Sequence, residues 1–530
     1  MTDTPGPRTR SVLPTLVVVL TFLAWVMRFI QDDAFISFRY AANLAAGHGL
    51  VWNPGLPPVE GYTNFLWTVL MAGPIGLGWD PVLVSQLMGV ACFAWALVMT
   101  ARLAAKVGGD GTTALLAVLL TGTNYTFLAW ATGGMATMLQ AALVTSCAVL
   151  AVDALEAQKR SVRGLAVFSV LAGVAVLVRP DSLLPTGVMA LLVTVAWWRQ
   201  GTTAAVRTRQ ALALLMPALV LVVPYALWKL SFYGALVPNT FQAKAAQLTS
   251  SRAGLRFLLE FVVSYAWLPV IFLSVAVARR MRPRGATMLL TVVVTWLVYL
   301  VAIGGGFMEF RLLVPMLPVA AVLLLAPLAA EGIVRWRPVL VAGLIAGSLL
   351  HGQLFSFRSG IESISDLSSH LTETRWPDVG TALHDLCGDL EPPLVIATTA
   401  AGAVPYYSQL TTVDMLGLND PDIARHGAVL SHHPGHKRVA TARQLLERGV
   451  HVVVGHPQVQ DRRDAVPEFT LANTTFGMAG LTAQLLPASA RVIEIPLDDE
   501  LVVLVLSLLP HGGFEQRVNE AGLRTWSVER

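Results

Sequence analysis

Eleven apolar stretches follow one another between residues 12 and 356, at 12–30, 82–104, 112–130, 135–154, 164–178, 182–198, 211–228, 257–278, 286–303, 312–330 and 338–356. A helix of about 20 apolar residues rises about 30 Å, the thickness of a bilayer's hydrocarbon core. That succession leaves one fold class, a polytopic α-helical membrane protein. Charged residues make up 13% of the chain, where a soluble globular chain carries about 25%. A soluble enzyme, a disordered chain and a coiled coil are excluded. The first stretch is too long for a signal-peptide core and lacks a small-residue cleavage site, so it reads as a retained helix. Residues 64–79 are apolar but few, and are broken by Gly73, Pro74, Gly76 and Gly78. They are expected at the membrane interface and not across it.

The connecting loops sort by charge. Arg8 and Arg10, then Arg102 and Lys106, then Lys159, Arg160 and Arg163 fall on alternate loops. So do Arg199, Arg207 and Arg209, then Arg279, Arg280, Arg282 and Arg284, then Arg335 and Arg337. The positive-inside rule makes that side cytoplasmic. The N-terminus is then cytoplasmic, and an odd number of spans places the C-terminal region outside a bacterial inner membrane. Topology accounts for the net charge of +4, so no nucleic-acid partner is expected. The chain divides into a membrane part, 1–356, with a long first external loop at 31–80, and an external part, 357–530. In the external part, runs at 393–398, 411–415, 450–454, 491–495 and 501–506 read as strands. Helical segments such as 438–448 alternate with some of them, so this part is an α/β domain large enough for its own core. Cys92 and Cys147 lie in apolar stretches and Cys387 stands alone, which excludes an internal disulfide there and any CxxC zinc pattern.

Topology also filters the charges. The external acidic residues of the membrane part are Asp32, Asp33, Glu60, Asp80, Asp181, Glu260 and Glu309; the basic ones include Arg39, Arg179, Lys229, Lys244, Arg252, Arg256 and Arg311. Charges beside span ends are costly unless paired or hydrated, which makes them functional candidates. Asp32 and Asp33 come directly after the first span. One can cap a helix and meet its dipole. Two, with Arg39 about two turns on, exceed what a cap needs. Helical spacing runs over 37–46 and ends at Gly47 and Gly49.

The string DDAFISFRYAANLAAGHGLVWNPG, followed by VEGYTNFLW, resembles the GT-C superfamily of membrane glycosyltransferases. Within it, the chain resembles the arabinofuranosyltransferase branch related to the mycobacterial terminal β-(1→2)-arabinofuranosyltransferase. LVRPD (177–181), FYGALVPNTFQAK (232–244), FMEFRLLVPMLP (307–318), GAVPYYS (402–408) and DMLGLND (414–420) carry the same resemblance. Two positions depart from it: Ala136 and Gly306 stand where relatives often have acids, which puts a second carboxylate in the pocket, and a metal or acceptor contact, in doubt.

The resemblance implies a polyprenyl-phosphate sugar donor, a cell-envelope polysaccharide acceptor and a reaction at the external membrane face, among membrane lipids. Asp33, or Asp32, is then the general base, the other aspartate orienting the acceptor. Lys244, Arg311 and Arg179 are the candidates for the donor phosphate. Arg39, His48, Glu60, Tyr62, Asn239 and Glu309 are the candidates for other substrate contacts. Each has a structural alternative: Arg179 paired with Asp181, Arg311 with Glu309, Lys244 snorkelling. A single base favours single displacement with inversion. No cofactor is named, and a divalent metal is left open. His432, His433 and His436 have ligand-like spacing, but Pro434 and Gly435 prevent regular helical presentation, so a folding role is the safer explanation. The alternatives are the same reaction with another sugar, or a catalytically lapsed relative that binds or translocates lipid-linked sugar. A transporter should show paired halves and broken midplane helices, and no internal symmetry is visible.

Overall fold

A computed structural model describes residues 7–107, 110–156, 161–198, 203–245, 251–265, 267, 271, 284–326, 337–354, 361–429, 437–465 and 486–528. The described part begins with α1 (Pro7–Val26), α2 (Asp32–Ala45), α3 (Phe65–Gly76) and α4 (Pro81–Lys106). It continues with α5 (Gly111–Gly122), α6 (Tyr125–Ala129), α7 (Thr137–Glu156), α8 (Val162–Val178) and α9 (Leu183–Trp198). Then come α10 (Ala204–Tyr233), α11 (Asn239–Ala245) and α12 (Ser251–Ser264). Helices Arg284–Ile303, Leu317–Leu325 and Arg337–Leu354 complete the membrane part. Among the described residues, five helices are long and apolar enough to cross a bilayer: Pro81–Lys106, Thr137–Glu156, Pro180–Trp198, Ala204–Tyr233 and Gly285–Ile303. α7 sits at the centre, packed by α4, α8 and α9, and most of its side chains are buried. Outward faces stay apolar, with Phe22, Leu212, Val220 and Val298 all exposed, as lipid contact requires.

Three expected spans differ in detail. The 112–130 stretch breaks after Gly122, because the Asn124 side chain accepts the Phe127 N–H and caps a new helix. The stretch at 312–330 opens as a 3-10 turn, Arg311–Met316, with Pro315 inside it. The 257–278 stretch begins within α12, Ser251–Ser264, which starts earlier and is amphipathic. Its exposed Arg256 pairs with Glu260 at 2.6 Å; most residues beyond it lie outside the described ones. The 64–79 stretch contains the twelve-residue α3.

All five expected strands are present. β1 (Val395–Thr398), β2 (Thr411–Asp414), β5 (Val452–Gly455), β7 (Arg491–Pro496) and β8 (Leu501–Ser507) form one mixed sheet with β6 (Val459–Asp461) and β9 (Thr525–Ser527), in the order β2-β1-β5-β8-β7-β9. β1 pairs in parallel with β2 and β5, and β8 is antiparallel to β5, β6 and β7. The helix expected over 438–448 is shorter. β3 (Ala428–Val429) and β4 (Arg438–Val439) form a two-residue antiparallel pair, and a Thr441–Gln444 capping box starts the helix at Ala442. The three cysteines are free thiols.

The sheet does not stand apart from the membrane part. One buried apolar cluster runs from Phe35, Phe38, Trp67 and Ala136 to Ile396, Val404 and Val503. The first loop also closes the open edge of the sheet. At β2, the Asn53 side chain accepts the Thr412 N–H at 3.0 Å and donates to the Thr412 carbonyl at 2.9 Å, as a neighbouring strand would. An edge strand left unpaired is a liability, and here a side chain covers it.

Candidate functional site

α2 starts at Asp32 with Gln31 in the cap position, so both aspartates sit in its first turn, where the helix dipole favours negative charge. They face different surroundings. Asp32 is 6% exposed. Its carboxylate accepts the Gly402 N–H at 3.1 Å and the Ala403 N–H at 2.8 Å. Burial outweighs those two amides and pushes its pKa up to about 7. Asp33 is half-buried and makes no hydrogen bond among the described residues.

The raised pKa has a consequence with a definite sign. Unfolded Asp32 titrates near 3.8 and folded Asp32 near 7, so the folded state binds the proton more tightly. The stability this confers is full below about pH 4 and is lost as pH rises through about 7. The melting temperature of the wild type should therefore fall more steeply between pH 5 and 8 than that of Asp32→Asn. Equal slopes would refute this account of Asp32.

Around Asp33 the chain gathers charges from distant segments. Asp33 acts electrostatically on Arg311, Glu362 and His370. Arg179 and Asp181 act on Arg311 in turn. Arg311 follows a turn in which Glu309 and Phe310 have φ of 20° and 50°, a left-handed conformation that non-glycine residues adopt under constraint. The constraint is visible. The Glu309 N–H donates to the Glu362 carbonyl at 2.9 Å, and the Glu362 N–H donates to the Phe307 carbonyl at 2.6 Å. The Glu309 side chain meets His351 at 2.7 Å, both fully buried. Arg311 lies against the Met135 sulfur and 5.5 Å from the Trp130 ring centroid. It forms no ion pair among the described residues. Arg179 is paired with Asp181 at 2.8 Å, and Gln140 donates to the same carboxylate at 2.7 Å.

Other candidates lie elsewhere, and each has a physical reason. Arg39 is buried and donates to the carbonyls of Trp52, Pro405 and Leu410 and to Asn53. It ties the first loop to the sheet domain. Glu60 pairs with Lys229 at 2.7 Å, both almost fully buried. Tyr62 is 3% exposed, with its hydroxyl 3.1 Å from that of Tyr233. Asn239 donates to the Gly417 and Leu418 carbonyls. Glu309 is committed to His351 and not to Arg311. His48 is exposed at the far end of α2, about 20 Å from Asp33 by helical rise. Lys244 lies in α11 with its side chain outside the described residues, as do His432, His433 and His436. Among the described residues, no three His, Cys, Asp or Glu side chains are grouped to hold a metal.

Two residues near Asp33 were not anticipated. Glu362 brings a second carboxylate to the site, although Ala136 is a buried apolar contact. Burial first, then Asp33, pushes the Glu362 pKa up to about 7. His370 stacks on Trp376 with centroids 4.4 Å apart and planes 3° from parallel, and burial lowers its pKa. The available signal was the Ser363–Asp366 capping box, which starts a helix at Ile364 directly after Glu362.

Residues 369–496 match a family described as Domain of unknown function (DUF8728). Over 273 residues the chain is 27% identical to the terminal β-(1→2)-arabinofuranosyltransferase of Mycobacterium tuberculosis, which covers 48% of this chain and 41% of that one. Over 371 residues it is 27% identical to the protein of the same name from Corynebacterium glutamicum, covering 59% and 51%. The chain spans about half the length of these curated relatives. Among solved structures, ArnT from Cupriavidus metallidurans bound to undecaprenyl phosphate matches with a TM-score of 0.58 at 15% identity, over 94% of this chain and 98% of that one. The chain has the GT-C fold. Arabinofuranosyltransferase AftD from mycobacteria matches at a TM-score of 0.51 and 14% identity, over 95% of this chain and 40% of that one. The apolar helices are those of a membrane protein, and the C-terminal sheet domain docks on the segment that carries the two aspartates.

Proposed function

We propose that this chain is a glycosyltransferase that moves a sugar, arabinofuranose, from a polyprenyl-phosphate donor to a cell-envelope glycan. The observation that carries the reading is Asp33: half-buried, without a hydrogen-bond partner among the described residues, and electrostatically coupled to Arg311. The names of the curated relatives supply the sugar. Residues 1–356 form the membrane part and 357–530 the sheet domain, with Asp33 and that domain on the external side.

The acceptor hydroxyl gives its proton to Asp33. Its oxygen attacks the anomeric carbon, and the bond from that carbon to the phosphate oxygen breaks. The electron pair leaves on the lipid phosphate, where Arg311 stabilises the charge, with Arg179 beside it. One displacement inverts the anomeric centre. Asp32 acts as a positioning residue: by docking on Gly402 and Ala403 it sets the direction of α2's first turn.

The test is transfer of label from synthetic polyprenyl-phosphate arabinofuranose to a short arabinan. Product is expected with the wild-type chain. No product, with the lipid shown to bind, would move the proposal to another sugar. Arg311→Met should weaken polyprenyl-phosphate binding about tenfold or more, roughly 1.4 kcal/mol. Unchanged lipid affinity would remove Arg311 from the phosphate site.

A further inference from the structure

The polar groups of Glu309 are tied to three separate segments. Its N–H donates to the Glu362 carbonyl at 2.9 Å. Its carbonyl accepts the Trp130 indole N–H at 3.1 Å. Its Oε1 lies 2.7 Å from His351 Nε2 and accepts the Thr126 hydroxyl at 3.3 Å. His351 stacks on Tyr265, with centroids 4.2 Å apart and planes 18° from parallel, and the Tyr265 hydroxyl accepts the Thr126 N–H at 2.8 Å. One turn before His351, the Ser348 hydroxyl accepts the Tyr125 N–H at 2.8 Å and donates to the Thr123 carbonyl at 2.7 Å. The helix Arg337–Leu354 therefore fixes both α6, the short helix after the break at Gly122, and the turn at 309–310.

Arg311 comes directly after that turn. Its guanidinium lies 5.5 Å from the centroid of Trp130, the residue whose N–H holds the Glu309 carbonyl. Its own N–H donates to the Met308 carbonyl at 2.8 Å. Glu309 and Phe310 both have positive φ, a conformation kept in non-glycine residues only where the surroundings over-determine it. Glu309 and His351 are fully buried. Such a pair adds little net stability, since apolar side chains of similar volume often serve the fold as well. A satisfied buried network does make its surroundings rigid. We propose that Glu309 and His351 are positioning residues for Arg311: their buried contact holds the 309–310 turn left-handed and aims the guanidinium along the Trp130 ring. This rests on the phosphate role proposed above for Arg311.

The experiment is a double-mutant cycle on polyprenyl-phosphate binding to the full chain in nanodiscs. The test variant joins Glu309→Met to His351→Leu, which leaves no buried charge without its partner. In the wild-type background it should weaken the lipid about tenfold. In the Arg311→Met background the loss should be less than about twofold, because contacts that act through Arg311 then have nothing to aim. An equal loss in both backgrounds overturns the proposal, since a contact that only supports the fold costs the same with or without Arg311. No loss in the wild-type background overturns it as well. His351→Leu alone is measured in the same two backgrounds, and it decides between these outcomes if the paired variant fails to fold. Arg311→Met weakening the lipid while both variants leave it unchanged overturns the positioning role and leaves the proposed reaction standing. Arg311→Met without effect overturns the phosphate role and the positioning role together.

Discussion

Asp33→Asn should reduce sugar transfer by about 10²–10⁴-fold, the usual contribution of a positioned general base, while polyprenyl-phosphate affinity stays within about twofold. The substitution keeps shape and removes the proton acceptor. Asp33 makes no hydrogen bond among the described residues, so no fold contact is lost with its charge. A stable variant with near-wild-type transfer would exclude Asp33 as the base. Glu362 would then become the candidate, being the nearby carboxyl held by a different part of the chain.

Gly402→Ala should be strongly destabilising. A Cβ there would lie 2.1 Å from the Asp32 carbonyl oxygen and 2.4 Å from its Oδ2, closer than real contacts allow. The first of these atoms is backbone in the opening turn of α2, so it cannot swing aside. Either α2 or the segment after β1 must move, and the two amide bonds to Asp32 break. A buried carboxylate and two buried N–H groups would lose their partners. The cost is about 3–5 kcal/mol on the scale of broken buried polar pairs. Thermal melting should show that loss, and transfer should fall with it because Asp33 shares the turn. A melting temperature like that of the wild type would mean the docking of Asp32 is not as described.

How far the sequence could be read depended on the range of the interaction. Apolar periodicity is local, so most apolar helices and all five expected strands could be read directly. Partners are not local. Arg39 looked like a substrate contact because a charge near an external aspartate has no visible mate nearby; its mates include carbonyls 366 and 371 residues away. Glu60, Tyr62 and Asn239 share that history, each meeting a group more than 150 residues distant. Asp32 and Asp33 cannot be separated by sequence, because what distinguishes them is the Gly402 amide on one side of the helix. Glu362 escaped notice for the opposite reason. It follows the last apolar stretch in what looks like a connector, and only pairing with 307–309 brings it to the site.

The Asp32–Gly402 contact joins residues 370 positions apart, which sets an order of events during synthesis. At about 5–20 residues per second, roughly 20–70 s pass between making Asp32 and making its partner. Through that interval Asp32, Arg39 and Asn53 are translated without the groups that satisfy them. The first loop must stay hydrated or shielded until the C-terminal sheet domain emerges. Asp33 is therefore made well before its surroundings are complete. A ribosome that stops short of Gly402 leaves a chain in which Asp32 lacks its two amide partners, so under the proposed reaction premature termination yields an inert product.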